Sequence, residues 1–311
     1  MNMQNQLQKL ADAVAAREGS PARERLLQLF DAGTFVEIDR LAADGDKPAE
    51  AAAGYGTVDG SPVYAFAQDP SVCNGAVGRA QAAKIRKIYE LAAQNGAPVV
   101  GIFDSDGAKL GEGIDAVDAI AEILLASNNL SGVVPQIAVL AGPCIGSSSL
   151  IAANADVTVA VEGAAYSLNV GDDDAKAAVQ ADTVEDALLK ARDLLNLLPS
   201  NNLASAALYE ADAAAMPACE DIAGVVDAVA DAGTALRLYE GSSCETVLAR
   251  VGGAACGLVT LAGDKIGCCA AARLARFVRL CDAFSLPLIT FVDAAGVECL
   301  QGAAKLSHAY A

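Results

Sequence analysis

Two stretches of sixteen residues, Pro98–Gly113 (PVVGIFDSDGAKLGEG) and Pro287–Gly302 (PLITFVDAAGVECLQG), align without a gap at an offset of 189. A chain that carries one pattern twice must build one local structure twice, and nothing else in the sequence restricts the fold as much. Each copy has a proline, five apolar or small residues, an aspartate (Asp104, Asp293) and, three residues on, a glycine (Gly107, Gly296). The short continuous run, rich in β-branched and aromatic residues, predicts a buried strand. The glycine predicts a turn whose backbone needs unusual freedom or approaches another group closely.

The likeness extends upstream. Ala82–Pro98 lies over Ala271–Pro287 at the same offset, with Ile85, Ile88, Tyr89 and Leu91 at the places of Leu274, Phe277, Val278 and Leu280. That is helical spacing with a basic outer face in both copies. Gly56–Phe66 matches Ala249–Val259 at an offset of 193, and Asp59-Gly60 marks a hairpin. The order hairpin, helix, strand, glycine turn therefore recurs, which predicts a domain-scale duplication. Residues 1–234 form the first domain, with a helical spacer over about 171–234, and 235–311 the second. The first copy continues into Val133–Asn154 (VVPQIAVLAGPCIGSSSLIAAN): a strand to Leu140, a turn at Gly142-Pro143, and a short helix opened by Gly146 and three serines. The second copy has no counterpart, so the expectation is an incomplete, C-terminally truncated copy.

Formal net charge is −18, with acid spread along the chain, which argues against a nucleic-acid partner. The basic residues concentrate at Arg79–Lys87 and Arg273–Arg279, patches suited to an anion such as a phosphate or, more plainly, to solvent. No window reaches the ~18–20 unbroken apolar residues of a membrane span. The polar, amphipathic start lacks the features of a signal peptide, so a cytoplasmic location is expected. The nine cysteines have no CxxC pair and His308 is the single histidine, which points to reduced thiols, no disulfide framework and no metal site.

In the first copy two glycine turns, Gly107-Ala108 and Gly146-Ser147, follow two buried strands, and both are expected to open helices. The first N–H groups of a helix have no partner within it and point outward from the positive end of its dipole. Two such groups brought together make an oxyanion hole, and a thioester enolate, with its charge on one oxygen, is the natural guest. Other readings exist for these residues. Ser147, Ser148 or Ser149 with His308 suggests a serine nucleophile; the plainer reading is serines at a helix start. Asp104 and Asp106 suggest a carboxylate pair; the plainer reading has one capping the following helix and the other facing solvent. Glu112 suggests a general acid or base; the plainer reading is a capping or dipole role.

Gly54–Asp69 (GYGTVDGSPVYAFAQD), the basic helix RAQAAKIRKIYELA, the first glycine-turn stretch, SGVVPQIAVLAGPC and ARFVRLCDAFSLPLITFVDAAG together resemble the carboxyltransferase subunit of biotin-dependent acyl-CoA carboxylases and decarboxylases. The resemblance covers about residues 20–170 and 235–311, with its motifs in order in both halves. It implies a duplicated crotonase-like (ClpP-like) α/β fold, a β-β-α superhelical spiral. It implies that the first domain binds a short acyl-CoA of acetyl, propionyl, malonyl, methylmalonyl or glutaconyl type. The second domain of a neighbouring subunit would bind biotin borne by a separate carrier protein. A carboxyl group would pass between N1 of biotin and the acyl α-carbon, with no side-chain base. Carried over, the acyl-CoA hole comprises Gly107, Ala108, Gly146 and Ser147, the biotin side Gly296 and Val297, and the CoA phosphates fall to Arg79, Lys84 and Lys87. The implied assembly is a trimer or a dimer of trimers, or the missing C-terminal half comes from another chain. Three motifs depart from the family's pattern: SGGAR is SDGAK here, GPCAGGA is GPCIGSS and FVDVPGF is FVDAAGV. Two alternatives stand beside this one, a non-catalytic assembly subunit and a crotonase-type hydratase or isomerase.

Overall fold

The computed structural model describes residues 3–15, 17–44, 47–169, 172, 175–210, 222, 224–239, 244–263 and 265–311. Packing divides the chain into two units, Met1–Arg192 and Asp193–Ala311.

The first unit begins with α1 (Met3–Ala15) and α2 (Pro21–Leu29). The start of α2 is set locally: the Ser20 hydroxyl accepts the Arg23 N–H, and Pro21 takes a first-turn position where no N–H is needed. Short strand β1 (Val36–Glu37) and a small hairpin, β2 (Ala43–Asp44) with β3 (Lys47–Pro48), follow. The hairpin expected around Asp59-Gly60 is β4 (Ala51–Val58) with β5 (Ser61–Gln68), paired from Ala51↔Gln68 to Val58↔Ser61. Helix α3 (Arg79–Asn95) ends where Gly96 turns left-handed and its N–H reaches Ala92 O. Strand β6 (Val99–Ser105) is buried throughout. Then come α4 (Ile114–Asn129), β7 (Gln136–Ile145), α5 (Ser147–Ala153), β8 (Val157–Val161), β9 (Tyr166–Ser167), β10 (Val179–Ala181) and α6 (Val184–Leu197).

Apart from the separate β2–β3 hairpin, these strands form one sheet in the order β1-β4-β5-β6-β7-β8-β10, with β9 beside β7. Pairing is antiparallel up to β5 and parallel from β5 to β10. The core under α3 and α4 centres on Phe66, which meets Phe103 edge-on at 5.6 Å and Tyr89 at 6.0 Å. Each large side chain buried this way contributes about 1.5–3 kcal/mol.

The second unit holds α7 (Val225–Val229), β11 (Leu236–Leu238), β12 (Cys244–Val251), β13 (Ala254–Gly263), α8 (Cys268–Ala283), β14 (Leu288–Ala294) and α9 (Leu300–Tyr310). Its four-stranded sheet runs β11-β12-β13-β14. The hairpin β12–β13 is antiparallel and β13–β14 parallel, which repeats β4–β5–β6. A further repeat was not read from the sequence. Asp31-Ala-Gly-Thr34 recurs as Asp231-Ala-Gly-Thr234. In the first unit the Asp31 carboxylate accepts the N–H groups of Asp59 and Gly60 at the hairpin turn. In the second, Asp231 does the same for Gly252 and Gly253.

Three sequence expectations change here. Of the helical spacer over about 171–234, the described residues form β10, α6 and the short α7 only; residues 211–221 lie outside the described residues. The apolar spacing of 114–126 predicts a stripe of Ile114, Val117, Ile120, Ile123 and Leu124 on α4; Ile123 is buried, together with Ala116, Ala119 and Ser127, whereas Ile114 and Val117 are exposed. Cys268 and Cys299 are joined in a disulfide rather than being free thiols. No helix among the described residues is long and apolar enough to cross a membrane.

Candidate active site

The first glycine turn is held as an extension of the sheet. The Val77 N–H donates to Gly107 O at 2.7 Å, and Val77 O accepts the Lys109 N–H at 2.9 Å. In such a parallel bridge the residue between, Ala108, points its own N–H away from Val77. Gly107 has φ +107°, which side chains rarely adopt, and its N–H is satisfied by the Ser105 hydroxyl at 3.1 Å. The turn does not open a helix, contrary to expectation. A single 3₁₀ turn, Leu110–Glu112, and Gly113 separate it from α4. Extended pairing with Val77 takes up the residues that would have coiled.

The second turn does open a helix. Strands β6 and β7 pair regularly from Val99↔Gln136 to Phe103↔Leu140, then skip to Ser105↔Cys144. The residues between, Ala141-Gly142-Pro143, form a bulge, so β7 continues to Ile145 where a turn was expected at Gly142-Pro143. Gly146 follows with φ +62° and donates its N–H to Ser167 O at 3.1 Å. Ser147 is the first residue of α5.

The two turns meet. A Cβ built on Gly107 would lie 3.1 Å from Ile145 O and 3.8 Å from Gly146 Cα. The four residues Gly107, Ala108, Gly146 and Ser147 are therefore brought together. They do not contribute equally. The N–H groups of both glycines are used inside the protein, whereas among the described residues those of Ala108 and Ser147 have no acceptor in the chain. The glycines allow the contact, and the residues after them carry the free donors. The Ser147 hydroxyl is also buried without a partner.

Polar side chains brace the turns from beneath. Asp104 is buried and paired with Arg25 at 2.7 Å, so it neither caps a helix nor forms a carboxylate pair with Asp106. Asp106 is exposed and accepts from the Asn74 amide at 2.8 Å. Asp104 lies over the bulge, where a Cβ on Gly142 would fall 2.4 Å from its Oδ1. Glu112 caps a helix, though not the one after it: its Oε2 accepts the Arg79 N–H at the start of α3, at 2.9 Å. Its Oε1 pairs with Lys109 at 3.2 Å, and Lys109 also pairs with the fully buried Glu50. Of the serines, Ser149 donates to Gly146 O at 2.7 Å and Ser148 accepts from Gln68. Both act as helix-start residues, and His308 belongs to α9 of the other unit. Burial raises the Cys144 thiol far above its ordinary value, with the Asp104 charge adding to it.

The basic residues assigned to CoA phosphates separate into two kinds. Arg79 is largely exposed and pairs with Asp115 at 3.0 Å, and Lys87 is half-exposed and pairs with Asp39 at 2.9 Å. Lys84 is a correction. It faces inward beside Ile85, is 2% exposed, and donates to Ala51 O at 2.8 Å. Burial lowers its pKa to about 8, and a buried ammonium already satisfied by a carbonyl is not a phosphate ligand.

The second unit repeats the bridge that holds the first turn. The Ile266 N–H donates to Gly296 O at 2.9 Å, and Ile266 O accepts the Glu298 N–H at 2.9 Å. Val297 thus corresponds to Ala108, and its N–H has no acceptor among the described residues. The Gly296 N–H has no acceptor among the described residues either, because Ala294 stands where Ser105 supplies the hydroxyl that holds the Gly107 N–H. Among the described residues nothing lies within 4 Å of a Cβ built on Gly296.

A family model described as a carboxyl transferase domain matches residues 15–184 and 175–305. The methylmalonyl-CoA decarboxylase subunit alpha of Veillonella parvula is 32% identical over 88% of this chain and 65% of its own length. The propionyl-CoA carboxylase beta chain of Saccharopolyspora erythraea is 32% identical over 93% of this chain and 66% of its own. The chain thus spans just under two thirds of the length of these relatives. A crystal structure of transcarboxylase 12S, described as a hexamer with hydrolysed methylmalonyl-CoA bound, superposes with a TM-score of 0.89. That match is 27% identical and covers all of this chain and 77% of that one. The likeness carries the duplicated crotonase-like α/β fold that the sequence implied.

Proposed function

The chain belongs to the carboxyl transferase domain family, and from that premise we propose that it is the carboxyltransferase component of a biotin-dependent acyl-CoA carboxylase or decarboxylase. One observation carries the reading: two glycine turns in van der Waals contact, each followed by an unpaired backbone N–H, at Ala108 and Ser147.

In this reading the thioester oxygen of an acyl-CoA accepts both hydrogen bonds. When the α-carbon becomes nucleophilic, or loses its carboxylate, negative charge moves onto that oxygen. The two donors are already in place and lose nothing to reorganisation; each such donor is worth about 10²–10³ in rate. No side-chain base has to stand beside the α-carbon, because the α-proton and the carboxyl group would change places with biotin: N1 would take up the proton as it gives up the carboxyl group, and would return it in the decarboxylating direction. Biotin on a separate carrier protein supplies or accepts that group. The relatives' names support propionyl-CoA and methylmalonyl-CoA as the acyl pair.

Arg79 and Lys87 are the proposed partners of the CoA phosphates, each having to leave its present carboxylate. The exposed apolar row Leu110, Ile114 and Val117 lies directly after the first turn and supports a subunit contact there. A homo-oligomer, a biotin carrier partner and a cytoplasmic location complete the reading.

Calorimetric titration with acetyl-, propionyl-, malonyl- and methylmalonyl-CoA tests it. The expected result is binding of propionyl- and methylmalonyl-CoA, with exchange of labelled carboxyl between methylmalonyl-CoA and free biotin or a biotinyl carrier. A folded protein that binds none of the four esters would leave the assembly-subunit alternative in its place.

A further inference from the structure

Gln68 is the last residue of β5 and is fully buried, and its amide joins the supports of both turns. Its Oε1 accepts the Asp104 N–H at 3.2 Å, at the end of β6 and three residues before Gly107. Its Nε2 donates to Ser148 Oγ at 3.2 Å, in the first turn of α5 and two residues after Gly146. The same Nε2 donates to Gln81 Oε1 at 3.2 Å. Gln81 then donates from its own Nε2 to Glu50 O at 2.9 Å and Gly75 O at 3.0 Å. Gln81 and Ser148 are fully buried as well. An amide suits this place because it offers an acceptor and two donors without a charge.

The repeat supplies an internal control. At the hairpin's offset of 193 the counterpart of Gln68 is Leu261, and at the helix's offset of 189 the counterpart of Gln81 is Ala270. The second unit pairs β13 with β14 and closes the Ile266–Val297 bridge without either amide. Hairpin, helix, strand and glycine turn therefore form with apolar residues at these positions. Burying polar side chains costs free energy unless every group finds a partner. The first unit carries that cost where a second turn is held against the first.

We propose that Gln68 is a positioning residue that sets the spacing between the Ala108 and Ser147 N–H groups, and that Gln81 fixes the orientation of its amide. The assignment rests on the functional reading above, in which those two groups hold a thioester oxygen. Gln68 touches no substrate; it acts by tying the end of β6 to the start of α5.

The test compares propionyl-CoA with S-propyl-CoA, a thioether with CH₂ in place of the carbonyl. The ratio of their Kd values reads the two-donor contact alone, since the CoA portion is common to both. Gln68→Met keeps the length of the side chain and removes its hydrogen bonds. It should leave the S-propyl-CoA Kd within about twofold and lower the thioester preference about tenfold, the scale expected when donors are displaced by a fraction of an ångström. A merely structural role would weaken both ligands together or lower the melting temperature with the ratio intact; either result in a folded variant overturns the assignment. Should Gln68→Met fail to fold, Ser148→Ala removes only the far anchor, and the ratio is read on that variant. A wild-type protein with no thioester preference overturns this assignment and the functional reading together. Preference retained in the folded variants overturns this assignment alone.

Discussion

The Gly107 turn and the Gly296 turn are made by the same hydrogen bonds, to Val77 in one unit and to Ile266 in the other, and they differ in what surrounds them. Gly107 is packed against a second turn, braced by the Asp104–Arg25 pair and by the Gln68–Gln81–Ser148 network. Gly296 meets nothing within 4 Å, and Asp293, the counterpart of Asp104, is exposed. The bridge therefore turns one N–H outward in each unit, at Ala108 and at Val297, and the Gly296 N–H is also without an acceptor among the described residues because Ala294 lacks the hydroxyl of Ser105. The bulge in β7 and the polar braces beneath it bring a donor from a second turn, the Ser147 N–H, to the Ala108 turn.

Matched substitutions at equivalent positions break or sharpen this contrast. The largest effect is expected at the aspartates. Asp104→Ala leaves Arg25, which is only partly exposed, without its partner and should cost about 3 kcal/mol. Asp293→Ala, at an exposed position, should stay within about 0.5 kcal/mol. Urea unfolding of both variants checks this, and equal losses would mean that the two turns are supported alike.

Next comes Lys84 against its counterpart Arg273. The Lys84 pKa of about 8 lies below the ordinary lysine value because of burial. Between the two values the unfolded chain holds a proton that the folded chain has released, so stability rises with pH across that window. Relative to Lys84→Met, the wild-type protein should gain up to about 3 kcal/mol between pH 8 and pH 10.5. The matched control is Arg273→Met, which removes a guanidinium lying over the Tyr239 ring, and no such slope is expected from it. Denaturation at a series of pH values separates the two.

The smallest contrast is at the start of α3 and α8. A Cβ on Gly78 would lie 2.4 Å from Glu112 Oε1 and 2.8 Å from Lys109 Cδ, whereas one on Gly267 meets Glu298 Oε2 at an ordinary 3.4 Å. Gly78→Ala should cost about 1–3 kcal/mol by displacing the side chains that hold the turn. Gly267→Ala should be neutral or slightly stabilising. Thermal unfolding of the two variants decides it.

Much of this architecture was legible because its signals are local. The Asp59-Gly60 hairpin, strand β6 and the Gly146 helix start each follow from adjacent residues. The pairing of Gly107-Ala108 with Gly146-Ser147 follows from two glycine turns after two buried strands, the resemblance assigns the same four residues, and the structure brings them together. Other features depend on partners distant in sequence. Lys84 looked like part of a basic outer face, since spacing alone does not reveal that a carbonyl at Ala51 waits beneath it. The Gly107 turn looked like a helix start because its pairing with Val77 lies thirty residues upstream. The Cys268–Cys299 bond joins the start of α8 to the loop after Gly296, a contact made by the fold and marked by no spacing pattern. The Asp-Ala-Gly-Thr repeat was visible in the letters and went unread, since its offset of 200 differs from the 189 and 193 of the other repeats.

The most direct test of the central claim removes one backbone donor from each unit. Proline is best tolerated at the first position of a helix, so Ser147→Pro deletes a single N–H from the two-turn site with little harm to α5. Val297→Pro deletes the corresponding kind of donor from the lone turn. The thioester-over-thioether preference, measured by calorimetry with propionyl-CoA and S-propyl-CoA, should disappear in Ser147→Pro and persist in Val297→Pro. An unchanged preference in a folded Ser147→Pro protein, or an equal loss in both, would contradict the account.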